Sequence, residues 1–359
     1  MNSRERVQHT LDHKAADMIP YWGDFTSIES QLSFLGEKFF EADSFTKCLF
    51  QAKFMHSDII NLPVVAFPSG GYDIFCEILQ EGTEYVLAKD PFGGIHYWRK
   101  KPYFTKILES PVRNKQDLDS VHSIKLDRYD EQIHDLARLA KRLTDEGYYL
   151  LAEIKGPFEA PWMFLRGLAP YLRDLTGDPE FITRLIEVSF RPIMDLVERV
   201  ADEASINGIW VTDDLGESKS PFLSVEKYRR LFKPWHKELI ERMHRRGLKV
   251  FLHSHGNVMP LVGEFVDDGF DSLDPLDPAD NMRLHEVKSI FGERITLTGG
   301  ITKLIGTYTD EQISQHIEEI VKTAGPNGLI LNCAGGIPPE MKLESFVHYS
   351  ESIEKFRRP

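Results

Sequence analysis

Residues 249–257 read KVFLHSHGN, a short apolar run that ends in two histidines, His253 and His255. Successive side chains of a β-strand point to opposite faces, so a strand here directs both imidazoles the same way. Helical patterns flank the run, at 224–246 before it and at 258–267 after it. This setting is typical of α/β folds, in which ligands bind at the carboxyl ends of the strands. Two imidazoles at such an end could hold a metal ion.

The alternation of strand and helix extends along most of the chain. Short apolar runs are repeatedly followed by helical patterns, and with the histidine-bearing run they give eight candidate strands. Strands that alternate with helices predict a parallel sheet, and eight of them favour a (β/α)8 TIM barrel. The other seven candidates lie at 19–22, 58–62, 148–153, 208–212, 270–273, 294–298 and 328–332.

Residues 64–108 depart from this rhythm. Three turn signals, Pro68–Gly71, Glu81-Gly82 and Pro91–Gly94, separate short and partly alternating runs that begin at Tyr72, Glu84 and Ile95. We interpret the segment as a β-rich excursion from the barrel, and residues 1–359 as a single barrel domain.

Composition limits the class of protein. The net charge is −13 and the basic residues are scattered, which argues against a nucleic-acid partner. Three cysteines in 359 residues indicate a reducing compartment and no disulfide framework. The charged N-terminus lacks the apolar region of a signal peptide, and no run reaches the roughly 18 apolar residues of a membrane span. We therefore expect a soluble, cytoplasmic protein with no membrane partner.

The predicted strand ends carry polar side chains, and in a barrel these ends converge on one mouth. Catalytic zinc sites use three protein ligands from His, Cys, Asp and Glu and leave a fourth position open. His253, His255, Cys333 and Glu153 are therefore our candidate metal ligands. A charge that ends an apolar strand is costly unless it is used or capped. On that ground the candidate catalytic groups are Asp213, Asp214 and Glu153.

Candidate substrate contacts come from the same strand ends and from aromatic side chains near them. The aromatic residues could wall a pocket for an apolar ring, or they could belong to the core. The substrate-binding candidates are Trp22, Asp24, Asn61, Trp162 and Asp274.

These candidates also have purely structural interpretations. The two histidines could be a hydrogen-bonded pair that orients an organic substrate, and Cys333 could be a small buried residue. Glu153 could form a salt bridge with Lys155 or Arg166. The remaining histidines, His96 among them, lie on helical or loop patterns and are expected at the surface.

Short motifs in a characteristic order run nearly from end to end of the chain. They are Arg4–Val7 with His13-Lys14 and Ile19-Pro20, Gly156–Phe158, Asp213–Gly216, Asp274–Pro278, Gly299–Ile301 and Gly336–Pro339. In this order they resemble the uroporphyrinogen decarboxylase superfamily, and within it the branch of corrinoid-linked methyltransferases. The resemblance implies a (β/α)8 barrel, as the strand pattern does.

The resemblance does not extend to the decarboxylase activity. The N-terminal Arg-Gln-Ala-Gly-Arg signature of that enzyme is absent, and the chain reads YWGDF at 21–25. Its substrate-binding aspartate and tyrosine fall on Val65 and Met163. The basic cluster that the many carboxylates of a porphyrinogen require is missing, so the resemblance does not imply a role in heme synthesis.

The methyltransferase branch binds zinc through an H-x-C-G-N segment and a later cysteine in C-G-I-P-P, often with a carboxylate. Here His255 replaces the first cysteine, and Gly335 occupies the position of the second. Cys333 lies two residues earlier. The resemblance thus implies a zinc ion held by His253 and His255, with Cys333 or a carboxylate such as Glu153 completing the shell.

The change from thiolate to imidazole has a chemical consequence. Neutral imidazoles leave a zinc ion more positive and a harder Lewis acid, which suits it to polarise an ether or hydroxyl oxygen. The hypothesis is a zinc-dependent O-demethylase that moves a methyl group from a methoxylated compound, such as an aryl methyl ether, to a corrinoid. The cobalamin or other corrinoid would be carried by a separate protein, since the carrier motif D-x-H-x-x-G is not present in this chain.

Three other functions remain open at this point. The methyl group could come from a methylamine, a methylated thiol or a methylcobamide carrier. The barrel could bind a tetrapyrrole or corrinoid without catalysis. It could also be a metal-dependent lyase or hydrolase with Asp213 or Asp214 as base. A homo-oligomer is compatible with all of them.

Overall fold

A computed structural model describes residues 1–65, 75–122 and 124–358. In these ranges the chain forms two sheets, one of eight parallel strands and one of four antiparallel strands. The strands are β1 (Tyr21–Trp22), β2 (Ile59–Pro63), β3 (Glu77–Glu81), β4 (Tyr85–Lys89), β5 (Ile95–Arg99), β6 (Phe104–Glu109), β7 (Tyr149–Lys155), β8 (Gly208–Thr212), β9 (Lys249–His253), β10 (Ser272–Asp274), β11 (Thr296–Ile301) and β12 (Leu329–Cys333).

The parallel sheet is a TIM barrel. Its strand order is β1-β12-β11-β10-β9-β8-β7-β2. The two end strands meet where Asp58 N donates to Tyr21 O at 2.7 Å. All eight candidate strands of the sequence are therefore present, and the predicted fold is confirmed.

Helices surround the barrel, and their ends carry the expected capping groups. A capping box begins the first helix, in which Asn2 accepts from Glu5 N and Glu5 accepts from Asn2 N. The predicted helix at 224–246 is divided in two at Phe232. The predicted helix at 158–166 is a π-helix, Pro161–Arg166. The α-helices are α1 (Ser3–Leu11), α2 (Ile28–Leu35), α3 (Lys38–Glu41), α4 (Ser44–Phe54), α5 (Asp130–Asp145), α6 (Leu168–Gly177), α7 (Pro179–Glu203), α8 (Val225–Leu231), α9 (Lys233–His244), α10 (Val262–Asp268), α11 (Leu284–Phe291), α12 (Asp310–Ala324) and α13 (Leu343–Phe356).

The smaller sheet is the β-rich excursion, with the strand order β3-β4-β5-β6. One face of its central strands is buried, through Val86, Ala88 and Trp98. The run predicted from Tyr72 begins among residues 66–74, outside the described residues, and the strand that is described begins at Glu77. The prediction of β-structure in this segment is confirmed for the described part.

The barrel interior is filled with side chains at its amino end. Ile59, Leu151, Phe251 and Ile330 come from four different strands and pack in one buried cluster. Helix α1 adds Val7 and Leu11 to this cluster, and so covers the amino end of the barrel. Because side chains alternate, the residues two positions further along each strand also face inwards, at the carboxyl end.

A buried ion cluster ties the two chain termini to the barrel. The Asp58 carboxylate is 2.5 Å from Arg6 Nη1 and 2.6 Å from Arg357 Nη2. It also accepts hydrogen bonds from Ser3 Oγ and from Tyr21 N. One aspartate thus joins α1, β1 and the segment that follows α13.

None of the helices in the described ranges combines the length and the apolar composition needed to cross a bilayer.

Candidate active site

A cavity of about 380 Å³ opens at the carboxyl ends of the barrel strands. This volume lies in the lower part of the range of small-molecule pockets, ~300–1,000 Å³. Most of the residues predicted from the sequence line it: Trp22, Asp24, Asn61, Glu153, His253, His255, Asp274 and Cys333. Three predicted residues are not among the lining residues: Trp162, Asp213 and Asp214.

Strand alternation explains why the polar side chains meet. On β9, Phe251 packs inside the barrel, so His253 two positions later also faces inwards. The same step leads from Leu151 to Glu153 on β7, and from Ile59 to Asn61 on β2. The apolar layer therefore forms the base on which a polar layer stands.

His253 is held on two sides. Its Nδ1 donates to Asp274 Oδ2 at 2.5 Å, and the edge of its ring meets Trp210 at a centroid distance of 5.0 Å. Trp210 Nε1 donates to the same oxygen of Asp274 at 3.2 Å. Burial acts to lower the pKa of His253, but the Asp274 carboxylate outweighs it and raises the pKa to about 9. His253 and Asp274 are therefore an imidazolium–carboxylate pair at neutral pH.

His255 lies just beyond the end of β9 and is partly exposed. Its ring is perpendicular to that of His253, at a centroid distance of 4.7 Å. Its Nδ1 is 3.5 Å from Asp280 Oδ2. Asp214 accepts from His255 N at 2.7 Å and lies 3.9 Å from His253 Nε2. The two imidazoles are adjacent, and each has its own aspartate.

The arrangement does not fit a three-ligand zinc site. In residues 1–65, 75–122 and 124–358, no three His, Cys, Asp or Glu side chains are placed to hold a metal ion together. Cys333 is buried, its Sγ donates to Gly336 O at 3.3 Å, and burial raises the pKa of its thiol, whereas zinc requires the thiolate. Glu153 accepts instead from Asn61 Nδ2. The zinc shell stays a prediction, and we derive no chemical step from it.

Gly335 lies in the cavity lining close to His255, one of the predicted zinc ligands. A Cβ built on it would lie 3.7 Å from His255 Nε2. We therefore predict that Gly335→Cys raises zinc affinity by roughly 100-fold or more. Even residues that only hydrogen-bond to a metal ligand change metal affinity by about 10- to 100-fold, and a direct ligand should do at least as much. The measurement is a competition titration against a chromophoric chelator.

Gly335→Ala is the matched control for this prediction. Gly335 has a φ of +68°, so alanine and cysteine share the same backbone strain, about 1 kcal/mol, but only cysteine adds a ligand. Equal zinc affinity in the two variants would contradict the geometry.

A second polar cluster, centred on Lys155, was not predicted from the sequence. Strand β7 runs two residues beyond the predicted end, which brings Lys155 into the cavity lining. Its Nζ donates to Thr212 Oγ1 at 2.9 Å and lies 3.4 Å from Glu159 Oε2. Burial raises the pKa of Glu159 to about 7, although Lys155 opposes this shift. The alternation that made Glu153 a candidate also applies to Lys155, and would have found it.

Asp213 supports this cluster from outside the cavity. It is fully buried, and its Oδ1 accepts from Phe158 N and Glu159 N at 2.8 and 2.9 Å. Its Oδ2 is 3.0 Å from His236 Nε2. A Cβ on Gly156 would lie 2.4 Å from Asp213 Cγ, so only glycine permits this approach. These contacts position Glu159; a direct catalytic role for Asp213 remains a prediction.

The expectation that the remaining histidines lie at the surface is wrong for two of them. His96 is 2% exposed and its Nε2 is 2.7 Å from Asp90 Oδ2. His236 is fully buried between Asp213 and Tyr228. Each has a hydrogen-bond partner that makes burial tolerable, and local sequence patterns do not reveal such partners.

Aromatic side chains wall the cavity. Trp22 and Trp210 meet edge to face at a centroid distance of 4.9 Å. Trp98 and Tyr103 come from the small sheet and the turn after β5, and were not predicted as lining residues. The excursion thus supplies part of the cavity wall.

Comparisons with known proteins agree with this fold. The sequence profile of the uroporphyrinogen decarboxylase (URO-D) family matches residues 97–356. Two uroporphyrinogen decarboxylases from Helicobacter pylori, strains Shi470 and P12, are each 23% identical over 263 and 259 residues, which is 69% of this chain and 70% of each relative. Among solved structures, a methyltransferase from Methanosarcina mazei has a TM-score of 0.73 at 13% identity and covers 99% of both chains.

Proposed function

Because this chain belongs to the uroporphyrinogen decarboxylase family, we propose that it is a methyltransferase that takes a methyl group from a methoxylated small molecule. The acceptor would be a corrinoid carried by a separate protein. The observation that carries the proposal is the polar floor of a small aromatic cavity, where the His253–Asp274 pair lies beside His255.

The lining of the cavity argues against a porphyrinogen as substrate. Among the described lining residues there is no arginine, and apart from the histidines the cationic groups are Lys47 and Lys155. Lys155 is already engaged by Glu159. A porphyrinogen brings many carboxylates that need basic partners, whereas a cavity of about 380 Å³ suits a compound with one ring.

Aromatic walls would hold such a ring. Trp22, Trp98, Trp210 and Tyr103 line the cavity, and aromatic pairs add attraction beyond the area that they bury. The amino end of the barrel is filled by side chains, so a partner protein can reach the substrate only from the mouth. The methyl group would therefore face the mouth. The chain therefore excludes water on one side and offers access on the other.

The leaving oxygen sets the chemical requirement on this chain. The corrinoid supplies the nucleophile that accepts the methyl group, and the C–O bond breaks with its electron pair going to oxygen. An aryl oxide or alkoxide leaves more easily when a donor protonates it or hydrogen-bonds to it. His253 can donate from Nε2, because Asp274 holds Nδ1 and stabilises the charge of the imidazolium.

A panel of methyl donors tests the proposal. The protein is mixed with a reduced corrinoid protein and, in separate reactions, with methoxyarenes, methylamines or methylated thiols, and loss of the reduced cobalt spectrum is followed. We expect turnover with methoxyarenes and little with the other donors. Turnover with an amine or a thiol alone would instead indicate a methyltransferase that uses methylamines or methylated thiols. No turnover with any donor would reject methyl transfer.

A further inference from the structure

Two side-chain oxygens at the cavity have no donor among the described residues. They are Asn61 Oδ1 and Asp274 Oδ1, and both atoms are buried from solvent. Asp274 is only 2% exposed, and both residues line the cavity. A buried acceptor without a donor costs free energy, and native proteins satisfy most such groups. These two oxygens therefore call for donors on a ligand.

The protein already uses the other oxygen of Asp274. Both Trp210 Nε1 and His253 Nδ1 donate to Oδ2, which leaves Oδ1 with its full capacity to accept. Oδ1 is thus the oxygen of Asp274 that remains for a further donor.

The orientation of the Asn61 amide is fixed by its neighbour. Asn61 Nδ2 donates to Glu153 Oε2, so the amide nitrogen is already used. The atom left without a partner is therefore the carbonyl oxygen, not the amide nitrogen. Asn61, like Asp274, presents an acceptor.

The two acceptors stand on opposite walls. Asn61 is on β2 and Asp274 is on β10, and these strands are four places apart in the ring of eight, whichever way the ring is followed. A ligand that satisfies both must carry a donor on each of two opposite sides.

We propose that Asn61 and Asp274 select a methoxylated substrate with hydroxyl groups on opposite sides of its ring, one donated to each oxygen. This inference rests on the proposed function for the methoxy group, but the hydroxyl recognition rests on the two acceptors alone. An ammonium group could also donate to these oxygens, but Asn61 offers a neutral carbonyl, which would not offset the desolvation of a second cation. Sites that are built to hydrogen-bond a hydroxyl reject analogues that lack it by orders of magnitude.

Equilibrium binding without a corrinoid protein tests this selection. The ligands are methoxybenzene, 2-methoxyphenol and 2-methoxybenzene-1,4-diol, which carry no, one and two hydroxyl groups, and 4-methoxybenzylamine as a cationic donor. Quenching of tryptophan fluorescence reports binding, since Trp22, Trp98 and Trp210 line the cavity. We expect roughly tenfold tighter binding for each hydroxyl group, and more for the one that meets the charged Asp274.

Two variants assign the preference to the two oxygens. In Asp274→Asn the amide oxygen keeps the donors from Trp210 and His253, so the amide nitrogen takes the place of Oδ1 and the charge-assisted hydrogen bond is lost. Asn61→Leu removes the opposite acceptor at similar volume. In each variant, one of the two hydroxyl groups should no longer tighten binding: adding it to the ligand should change the affinity by less than about threefold.

Asp90→Asn is the control, because Asp90 is also a buried aspartate beside a histidine, His96, but does not line the cavity. It should keep the full preference. Equal affinity for the first three ligands, a preference that survives both cavity substitutions, or tighter binding of the amine would each overturn the inference. If Asp274→Asn fails to fold, Asn61→Leu decides by itself.

The binding test separates this inference from the proposed function. Hydroxyl-dependent binding without demethylation would reject only the methyl transfer. Demethylation of methoxybenzene as fast as of its hydroxylated analogues would leave the function intact and overturn the selection.

Discussion

The substitution His253→Asn is expected to lower methyl-transfer turnover by about 10²- to 10⁴-fold, the range of a lost general acid. The reason is position: His253 lines the cavity, is 9% exposed, and uses one nitrogen for Asp274, which leaves the other for the proposed substrate. Turnover is measured with a methoxyarene and a reduced corrinoid protein, with kcat and KM obtained separately. The loss should fall mainly on kcat, because the leaving oxygen gains its charge in the transition state.

A series of leaving groups separates proton donation from a structural role. Electron-withdrawing substituents on the arene stabilise the aryl oxide, so they should reduce the deficit of His253→Asn. His244→Asn is the control: this histidine is exposed, bonds to Asp271, and should change turnover less than twofold. A deficit that is the same for every leaving group would contradict proton donation by His253.

Asp58→Ala is expected to destabilise the protein by about 3–5 kcal/mol, as measured for broken buried ion pairs. The carboxylate is 2% exposed and is shared by the guanidinium groups of Arg6 and Arg357. Its removal takes away the buried anion that both guanidinium groups share, leaves them only the more exposed Asp17 and Glu354, and opens the contact between α1 and the segment that follows α13. Denaturant unfolding followed by circular dichroism gives the change in the free energy of unfolding.

Asp17→Ala is the matched control, because Asp17 also pairs with Arg6 but is 34% exposed. Exposed pairs contribute about 0–1 kcal/mol. If the two substitutions cost the same, the buried cluster would not have the role that we assign to Asp58.

The fold could be predicted from the sequence because its signal is periodic and local. Each barrel strand is a short apolar run before a polar end, and each is followed by a helical pattern. Strand β9, Lys249–His253, is an example. Alternation along the strand also predicted that His253 and His255 would point the same way, and both line the cavity. Asn61, Glu153 and Asp274, which the same reasoning placed at strand ends, also line the cavity, and their roles stay predictions.

The pairing of these side chains could not be predicted, because it depends on residues distant in sequence. A salt bridge of Glu153 with Lys155 or Arg166 was one alternative. The charge of Glu153 does act on Lys155, but Asn61, from another strand, donates to Glu153, and Arg166 pairs with Asp174. No local pattern reveals which neighbour a carboxylate will meet across a barrel. The burial of His96 and His236 could not be predicted for the same reason.

The segment between β2 and β7 shows a different limit. Turn signals were enough to predict β-structure there, but not that the small sheet would bring Trp98 and Tyr103 to the cavity. How the small sheet packs on the barrel depends on which face of the sheet is apolar and on the barrel surface that it contacts. The contacted surface is a tertiary property, which local sequence patterns do not reveal.

The central claim is that this cavity transfers a methyl group from an ether oxygen. The most direct test is a single turnover with a hydroxylated methoxyarene that carries ¹³C in its methoxy carbon, at one equivalent of reduced corrinoid protein. We predict that the label appears on the corrinoid in equal amount to the demethylated phenol, and at least about 10²-fold faster with the wild-type protein than with His253→Asn. Phenol release without label on the corrinoid, or equal transfer by the variant, would contradict the account.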